Sequence, residues 1–172
     1  AIPILPVESW ITLWDIAVCT VRAMRGSFRR FDPERSVELD GIGLGELVGR
    51  AVQEARNSGD YFLNLLMYYC GRSLGNTLRV TRCLYPYENR AWEKMLILGV
   101  REASPETRMI GYQHTSITLG HMNFMLGADE AKTIPLPESI LTTGEVTKEW
   151  LEKERNFPTG MFKTACALRQ GQ

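Results

Sequence analysis

The sequence LRVTRCLYPYENRAWEKMLILGVREASPETRMIGY (residues 78–112) contains two short β-prone runs separated by a helical one. The runs at 78–84 and 108–112 are rich in the branched and aromatic residues that favour strands. Between them, residues 91–102 place apolar side chains at the spacing of one helix face, and Pro105 ends that pattern. A strand, a helix and a second strand at this spacing predict two parallel strands joined by a right-handed crossover.

The same alternation continues toward the carboxyl terminus. Further strands are predicted at 139–142 (SILT) and 161–166 (MFKTAC), with a helix at 145–155 between them. Thr142 and Glu145 have the spacing of a capping box at the start of that helix. The expected fold class is therefore α/β, a parallel Rossmann-like sheet over residues 77–172 with helices on both faces.

Residues 1–76 are predicted to be mainly helical and to belong to the same compact domain. The expected helices lie at 8–25, about 44–56 and about 61–74, the last with Asp60 as its N-cap. The first helix is expected to bury one broad face, made by Trp10, Leu13, Trp14, Ala17, Val18, Val21 and Met24. The turn-rich segment at 27–40 is predicted to be a loop.

The composition excludes several classes of protein. Twenty Lys and Arg against twenty Asp and Glu give zero net charge over 172 residues, which excludes a strongly basic nucleic-acid binder. No apolar run reaches the roughly 18 residues of a membrane span, and no signal-peptide pattern opens the sequence, so a cytoplasmic location is expected. The four cysteines, at 19, 70, 83 and 166, favour free buried thiols over disulfides or a reactive thiol.

Three loops are expected to meet at one edge of the predicted sheet. Parallel α/β sheets bind ligands beyond the carboxyl ends of their strands. The loops at 85–89, 112–116 and 142–145 each follow a predicted strand, so they should gather there although they span about sixty residues of sequence. This convergence predicts the position of a functional site.

His114 is the main candidate for chemistry in these loops. An imidazole at a strand end can act as a general base or, when charged, donate to a phosphate oxygen. The alternative is a histidine that caps a helix or closes a loop hydrogen bond. Glu88 and Glu145 are the acidic partners nearby, although the capping box would also explain Glu145. His121 lies two helical turns after His114, but no third ligand is nearby and a metal site is not expected.

Two further motifs each leave two interpretations open. The glycines of DGIGLGE (40–46) resemble a phosphate-binding loop, yet no strand precedes them, and a flexible loop before a helix is the alternative. The Arg29-Arg30 pair, flanked by Phe28 and Phe31, could contact an anionic headgroup or an acceptor phosphate, or could form a solvated loop.

The motifs at the predicted sheet edge carry a family resemblance over about residues 80–170. The sequence resembles a bacterial surface-carbohydrate biosynthesis family related to glycosyltransferases with two facing Rossmann-like domains, the GT-B arrangement. The motifs that carry the resemblance are Tyr87-Glu88-Asn89, Trp92-Glu93-Lys94, Gly111-Tyr112-Gln113-His114-Thr115, Leu136-Pro137, Leu141-Thr142-Thr143-Gly144-Glu145 and Cys166-Ala167-Leu168-Arg169.

The resemblance implies transfer of a sugar from a nucleotide-activated donor to a cell-surface polysaccharide or lipid-linked acceptor. The chain would be the acceptor-side half, without the nucleotide-binding domain. It would need no metal or cofactor, because helix ends and basic side chains neutralise the donor diphosphate. Peripheral association with the inner face of a membrane is a further expectation. The implied catalytic residues are His114 and Glu88, and the implied substrate-binding residues are Gln113, Tyr87, Asn89, Thr115, Thr143, Gly144 and Glu145.

Two other functions compete with this interpretation. One is a non-catalytic α/β binding or scaffold domain that recognises a polysaccharide or a partner protein. The other is a small hydrolase, although the sequence lacks the G-x-S-x-G elbow of that class. A glycosyltransferase half should leave an apolar or polar-aromatic face uncovered, whereas a self-contained module should not.

Overall fold

The computed structural model describes residues 6–29, 38–118 and 120–165. Helices and strands alternate in the second half of the chain. Short 3₁₀ helices lie at Val7–Trp10, Met122–Phe124 and Glu130–Lys132. The helices are α1 (Leu13–Phe28), α2 (Gly45–Asn57), α3 (Gly59–Thr77), α4 (Ala91–Ala103) and α5 (Glu145–Glu154). The strands are β1 (Glu38–Leu39), β2 (Ile42–Gly43), β3 (Arg82–Pro86), β4 (Arg108–Tyr112), β5 (Ser139–Thr142) and β6 (Phe162–Thr164).

The main sheet has four strands in the order β3-β4-β5-β6, and every neighbouring pair is parallel. In the register, Pro86 pairs with Tyr112, Tyr112 with Leu141, and Leu141 with Lys163. The carboxyl ends of these strands therefore lie along one edge. The predicted α/β class is confirmed, since a parallel sheet flanked by helices is consistent with a Rossmann-like fold.

The predicted boundaries hold for β4 and β5 and shift for the outer strands. The first strand begins at Arg82 rather than at residue 78, because α3 continues to Thr77 and the Leu78 N–H still bonds the Leu74 carbonyl at 2.9 Å. Tyr85 and Pro86, predicted to be loop, belong to the strand. The last strand is shorter than predicted, and its predicted end at residue 166 lies outside the described residues.

The core lies on one face of the sheet. Tyr85 of β3, Met109 of β4, Ile140 of β5 and Phe162 of β6 belong to it and are almost fully buried. Side chains of α4 and α5 cover this face, including Ile97, Val100 and Leu151. The covering of the two faces is unequal, since Leu84 on the opposite side is 56% exposed.

Helices α3 and α4 form the largest helix–helix interface, and two glycines permit its closeness. A Cβ added at Gly99 would lie 2.0 Å from the Tyr68 carbonyl oxygen, and one at Gly71 would lie 2.5 Å from the Leu96 carbonyl oxygen. Backbone therefore packs directly on backbone at this crossing. The contact fixes the helical first half of the chain to the helix that covers the sheet.

The predicted burial of the first helix is wrong for most of its apolar face, although Val18 packs against the cluster of Cys19, Leu65 and Tyr69. Leu13, Trp14 and Phe28 are 86%, 75% and 83% exposed, and Val21 and Met24 are also exposed. The helix contacts α3 instead through small residues, with Cys19 and Ala23 in one cluster and Gly26 against the Tyr61 ring. An apolar period identifies an apolar face but does not say that another element covers it.

The start of α1 also differs from the prediction. The helix begins at Leu13 rather than at residue 8, because Thr12 forms a capping box with Asp15. The Asp15 amide donates to the Thr12 hydroxyl at 3.1 Å, and the Thr12 amide donates to the Asp15 carboxylate at 2.8 Å. These reciprocal bonds satisfy free amides at the helix start. The preceding residues form the separate 3₁₀ helix Val7–Trp10.

The glycine-rich segment forms a hairpin and not a phosphate loop. Strands β1 and β2 pair antiparallel, and the two turn residues Asp40 and Gly41 both have positive φ. An Asp-Gly pair is the usual sequence for such a two-residue turn, because the glycine takes left-handed backbone without steric cost.

The prediction of Asp60 as the N-cap of α3 is wrong. The N-cap is Ser58, and Asp60 lies in the first turn of the helix.

The cysteines agree with the prediction where they are described. Cys19 and Cys70 are free and buried, Cys83 is free and half-buried, and burial raises the pKa of each thiol above its ordinary value. Protonated thiols are poor nucleophiles, which fits a packing role. Cys166 lies outside the described residues.

Candidate functional site

The three predicted loops meet at the carboxyl edge of the sheet. The Glu88 carboxylate faces the His114 ring, with Oε1 3.9 Å from Nε2. The Gln113 side chain joins the second loop to the third, because its Oε1 accepts the Thr143 N–H at 3.1 Å. The predicted convergence is therefore confirmed.

His114 has unused hydrogen-bonding capacity at this edge. Its side chain is 28% exposed, and its Nδ1 atom is buried with no hydrogen-bond partner among the described residues. The ring makes no helix cap and closes no loop hydrogen bond within the described chain, so the structural alternative for this histidine lacks support there. Its one ion-pair partner in the described chain is Glu88.

Glu88 lies between two cationic or potentially cationic groups. Arg90 Nε is 3.4 Å from Oε2, while Oε1 faces His114. The 3.9 Å separation from the imidazole is an ion-pair distance and is too long for a direct hydrogen bond. A small hydroxyl group placed at this pair can therefore contact both the carboxylate and the ring.

Gln113 positions the loops and is not free for a ligand. It is almost fully buried, and its Oε1 accepts from both the amide and the hydroxyl of Thr143, at 3.1 and 3.2 Å. Its Nε2 donates to the Thr115 carbonyl. Because the side-chain amide is used at both ends, the predicted substrate contact by Gln113 is replaced by a positioning role. Thr115 and Thr143 are the residues that it ties together.

Tyr87 and Asn89 form the floor beneath the loops. Tyr87 is 1% exposed, and its ring packs on Phe124 and so closely on Gly111 that an added Cβ there would meet Tyr87 Cβ at 2.9 Å. Asn89 has φ +56° and donates to the Asn123 carbonyl at 2.6 Å. Neither predicted substrate contact is supported, because both side chains are packed inside.

Glu145 and its neighbours do not form the predicted capping box. The N-cap of α5 is Gly144, which makes no side-chain cap bond, and the Thr142 hydroxyl instead donates to the Gly144 carbonyl at 3.1 Å. The Glu145 carboxylate accepts from Lys148 at 2.7 Å and from the Thr164 hydroxyl, and the Lys148 bond lowers the pKa of Glu145. Glu145 thus ties α5 to β6. No atom lies within 4 Å of the position that a Cβ at Gly144 would take.

Glu93 is a site residue that the sequence reasoning missed. Its carboxylate is 1% exposed and accepts the backbone N–H groups of Glu88 and Asn89, at 2.9 and 3.1 Å. A glutamate at the third position of a helix commonly reaches back in this way, so the spacing from Arg90 was an available signal. Glu93 fixes the backbone that presents Glu88.

The buried position also perturbs the titration of Glu93. Burial raises the pKa of Glu93 from 4.5 to about 7, against the opposing effect of the backbone donors. A carboxyl whose pKa is higher in the folded chain stabilises the fold at acidic pH, and this stabilisation is lost as pH rises through 7.

We therefore expect Glu93→Gln to flatten the pH dependence of stability. Between about pH 5.5 and pH 8 the wild type should lose about 2 kcal/mol more unfolding free energy than the variant. Urea denaturation at the two pH values measures this difference. Glu149→Gln, at an exposed position of α5, is the control and should match the wild type. Parallel pH curves for Glu93→Gln and the wild type would contradict the assignment.

A cleft of about 850 Å³ lies beside the Glu88–His114 pair. It separates the Val7–Trp10 helix and α3 from the start of α4, and Glu88 is one of its walls. Three carboxylates and one guanidinium, from Glu8, Asp60, Glu88 and Arg90, stand around an otherwise mainly apolar lining. The apolar residues are Val7, Ile11, Leu63, Leu66, Met67, Ala91 and Trp92.

The described residues include no group of three His, Cys, Asp or Glu side chains that could hold a metal ion. His121 is engaged locally, since its Nδ1 accepts the Thr118 N–H at 2.9 Å. No helix in the described ranges is long and apolar enough to cross a bilayer.

Comparison with protein-family models, with curated proteins and with solved structures gave no match. The geometry of the site and the sequence motifs are therefore the basis for a functional proposal.

Proposed function

We propose that this chain is the acceptor-side α/β domain of a glycosyltransferase. Such an enzyme moves a sugar from a nucleotide-activated donor to a surface polysaccharide or a lipid-linked acceptor. The observation that carries the proposal is the Glu88–His114 pair at the carboxyl edge of the parallel sheet, beside a large cleft that Glu88 lines. Ligand sites of parallel α/β sheets occur at this edge.

The pair supplies the base that sugar transfer needs. The acceptor hydroxyl gives its proton to His114 Nε2 while its oxygen forms a bond to the anomeric carbon of the donor sugar. The bond from that carbon to the nucleotide diphosphate breaks, and the diphosphate leaves with the electron pair. Glu88, 3.9 Å from Nε2, stabilises the imidazolium that results.

The cleft suits the saccharide part of an acceptor. Carboxylates of Glu8, Asp60 and Glu88 can accept hydrogen bonds from sugar hydroxyls, and apolar side chains such as Trp92 can cover the C–H face of a ring. With three carboxylates against one arginine, the lining disfavours a strongly anionic ligand. The donor diphosphate is therefore assigned to the second domain that the family resemblance implies. A nucleotide-activated donor is consistent with a cytoplasmic reaction.

Saccharide binding tests this proposal. In ¹⁵N-edited NMR titrations, neutral oligosaccharides should shift resonances of residues 88–92, and Glu88→Gln should weaken binding about 10-fold through loss of a charge-assisted hydrogen bond. Glu149→Gln is the matched control, because its carboxylate lies exposed on α5. An unchanged saccharide affinity in Glu88→Gln, or the absence of binding to any saccharide, would refute the assignment.

Calorimetry with nucleotide sugars adds a second test. Residues 1–172 alone should bind a nucleotide sugar weakly, because the proposal assigns most donor contacts to the other domain. Tight binding of a nucleotide sugar to this chain would contradict the half-enzyme. Saccharide binding by a full-length protein that transfers no sugar would favour the alternative, a non-catalytic binding domain.

A further inference from the structure

The outward side of α1 is a continuous apolar face. At 100° per residue, six residues fall within an arc of about 100°. Four of its side chains are more than half exposed: Leu13 is 86%, Phe28 83%, Trp14 75% and Met24 57% exposed. The six residues of this apolar arc are Leu13, Trp14, Ala17, Val21, Met24 and Phe28.

An arginine pocket borders the apolar arc. Arg22, Arg25, Arg29 and Arg56 line a cavity of about 340 Å³, together with Gly26, Tyr61 and Leu65, and no acidic residue lines it. None of the four arginines forms an ion pair with a residue of the described ranges. Arg56 donates to the Arg29 carbonyl at 2.6 Å, and Arg22 lies 5.7 Å from the centre of the Tyr69 ring.

The two features form one surface. Arg22 and Arg25 line the arginine pocket and also a shallow groove of about 300 Å³, whose other walls are Trp14, Ala17, Val18 and Val21. Arg22 and Arg25 of α1 and its C-cap residue Arg29 lie on one flank of the apolar arc. Thr20 and Ser27 lie on the other flank.

We propose that α1 docks on an anionic phospholipid bilayer. The apolar arc enters the boundary between headgroups and acyl chains, and the arginine pocket takes a lipid phosphate. Helices that bind membrane surfaces combine Trp, Phe and Leu on one face with Arg beside it, and each arginine near an anionic surface strengthens binding. This surface is separate from the Glu88–His114 site, and the proposal does not depend on sugar transfer.

Charge disfavours an antiparallel pairing of α1 with a second copy of the chain and favours an anionic bilayer. Two α1 helices related by a two-fold axis and packed antiparallel on this face would place both arginine flanks on the same side. Like charges would then meet, and Asp15, the acidic residue of α1 on this side, is engaged with Thr12 in the capping box. Lipid phosphates instead supply the opposite charge along the whole flank.

Vesicle co-sedimentation tests the proposal with the full chain. The protein should bind vesicles of phosphatidylcholine with phosphatidylglycerol, and added salt should weaken the binding. Vesicles of phosphatidylcholine alone should bind at least about 10-fold more weakly. Inorganic phosphate is the probe for the other source of the same chemistry. Displacement by phosphate at concentrations where sodium chloride of equal ionic strength has no effect would overturn the bilayer as the ligand.

Paired variants separate the two parts of the surface. Arg25→Gln with Arg29→Gln should weaken binding about 30-fold, and Trp14→Ser with Phe28→Ser should weaken it at least as much. Arg79→Gln with Arg82→Gln and Leu47→Ser with Val146→Ser are the controls, since Val146 is 84% exposed, like Phe28. Circular dichroism checks that each variant folds.

Three further results would overturn the proposal. One is equal binding to charged and neutral vesicles, and another is binding that the surface variants do not change. The third is a dimer in light scattering that Trp14→Ser with Phe28→Ser abolishes, without vesicle binding by the wild type, which would assign the face to a second copy.

Discussion

Replacement of His114 by alanine is expected to lower the proposed sugar transfer about 100-fold or more, the range for loss of a general base. The melting temperature should change little. The ring makes no hydrogen bond to a described residue, and its contact with Glu88 is a partly exposed ion pair 3.9 Å long, which contributes little to stability. Measurement of kcat and of thermal unfolding on the same variant tests both statements.

His121→Ala is the matched control for this variant. The chain has two histidines, and His121 is engaged with Thr118 in a turn rather than with a carboxylate. It should keep full activity. Glu88→Gln should also slow transfer, because the imidazolium loses its counter-charge. Full activity of His114→Ala with a lower melting temperature would remove His114 from the mechanism and restore a structural role.

Gly99→Ala is expected to destabilise the fold by about 3 kcal/mol or more, although alanine is the better helix former by about 1 kcal/mol. The added Cβ would lie 2.0 Å from the Tyr68 carbonyl oxygen and would also crowd Arg72 N at 2.8 Å. These are backbone atoms of α3, so no side-chain rotation relieves the overlap. The two helices must move apart, and urea denaturation measures the cost.

Gly59→Ala provides the control for this substitution. Gly59 is the first residue of α3, and no atom lies within 4 Å of the position its Cβ would take. The change should be neutral or slightly stabilising, because alanine restricts the unfolded chain more than glycine does. Equal stabilities of Gly99→Ala and Gly59→Ala would show that α3 and α4 do not cross as closely as described.

The position of the candidate site follows from the sequence to a large extent. Strands β4 and β5 and helix α4 were predicted within one residue, and parallel pairing alone brings the loops that follow them to one edge. His114 and Glu88 meet for this reason, although they are 26 residues apart in the sequence.

The roles of the other predicted site residues depended on contacts that a strand pattern does not contain. Tyr87 and Asn89 are buried because Phe124 and Asn123, from the segment between β4 and β5, fold over them. Gln113 is occupied because Thr143 lies beside it on the next loop. A position after a strand indicates the edge of the sheet, but which side chains remain open depends on the segments that pack there.

The sequence by itself determined the parallel α/β architecture and the convergence of its loops, because the local periods of strand and helix leave one compact arrangement of the crossovers. Only the tertiary structure decided which side of α1 is covered. The helix has an apolar side and a side of small residues, and close packing against α3 selects the small one at Cys19, Ala23 and Gly26. The large apolar side chains are left outside, since the geometry of contact, and not hydrophobicity alone, determines which helix face is buried.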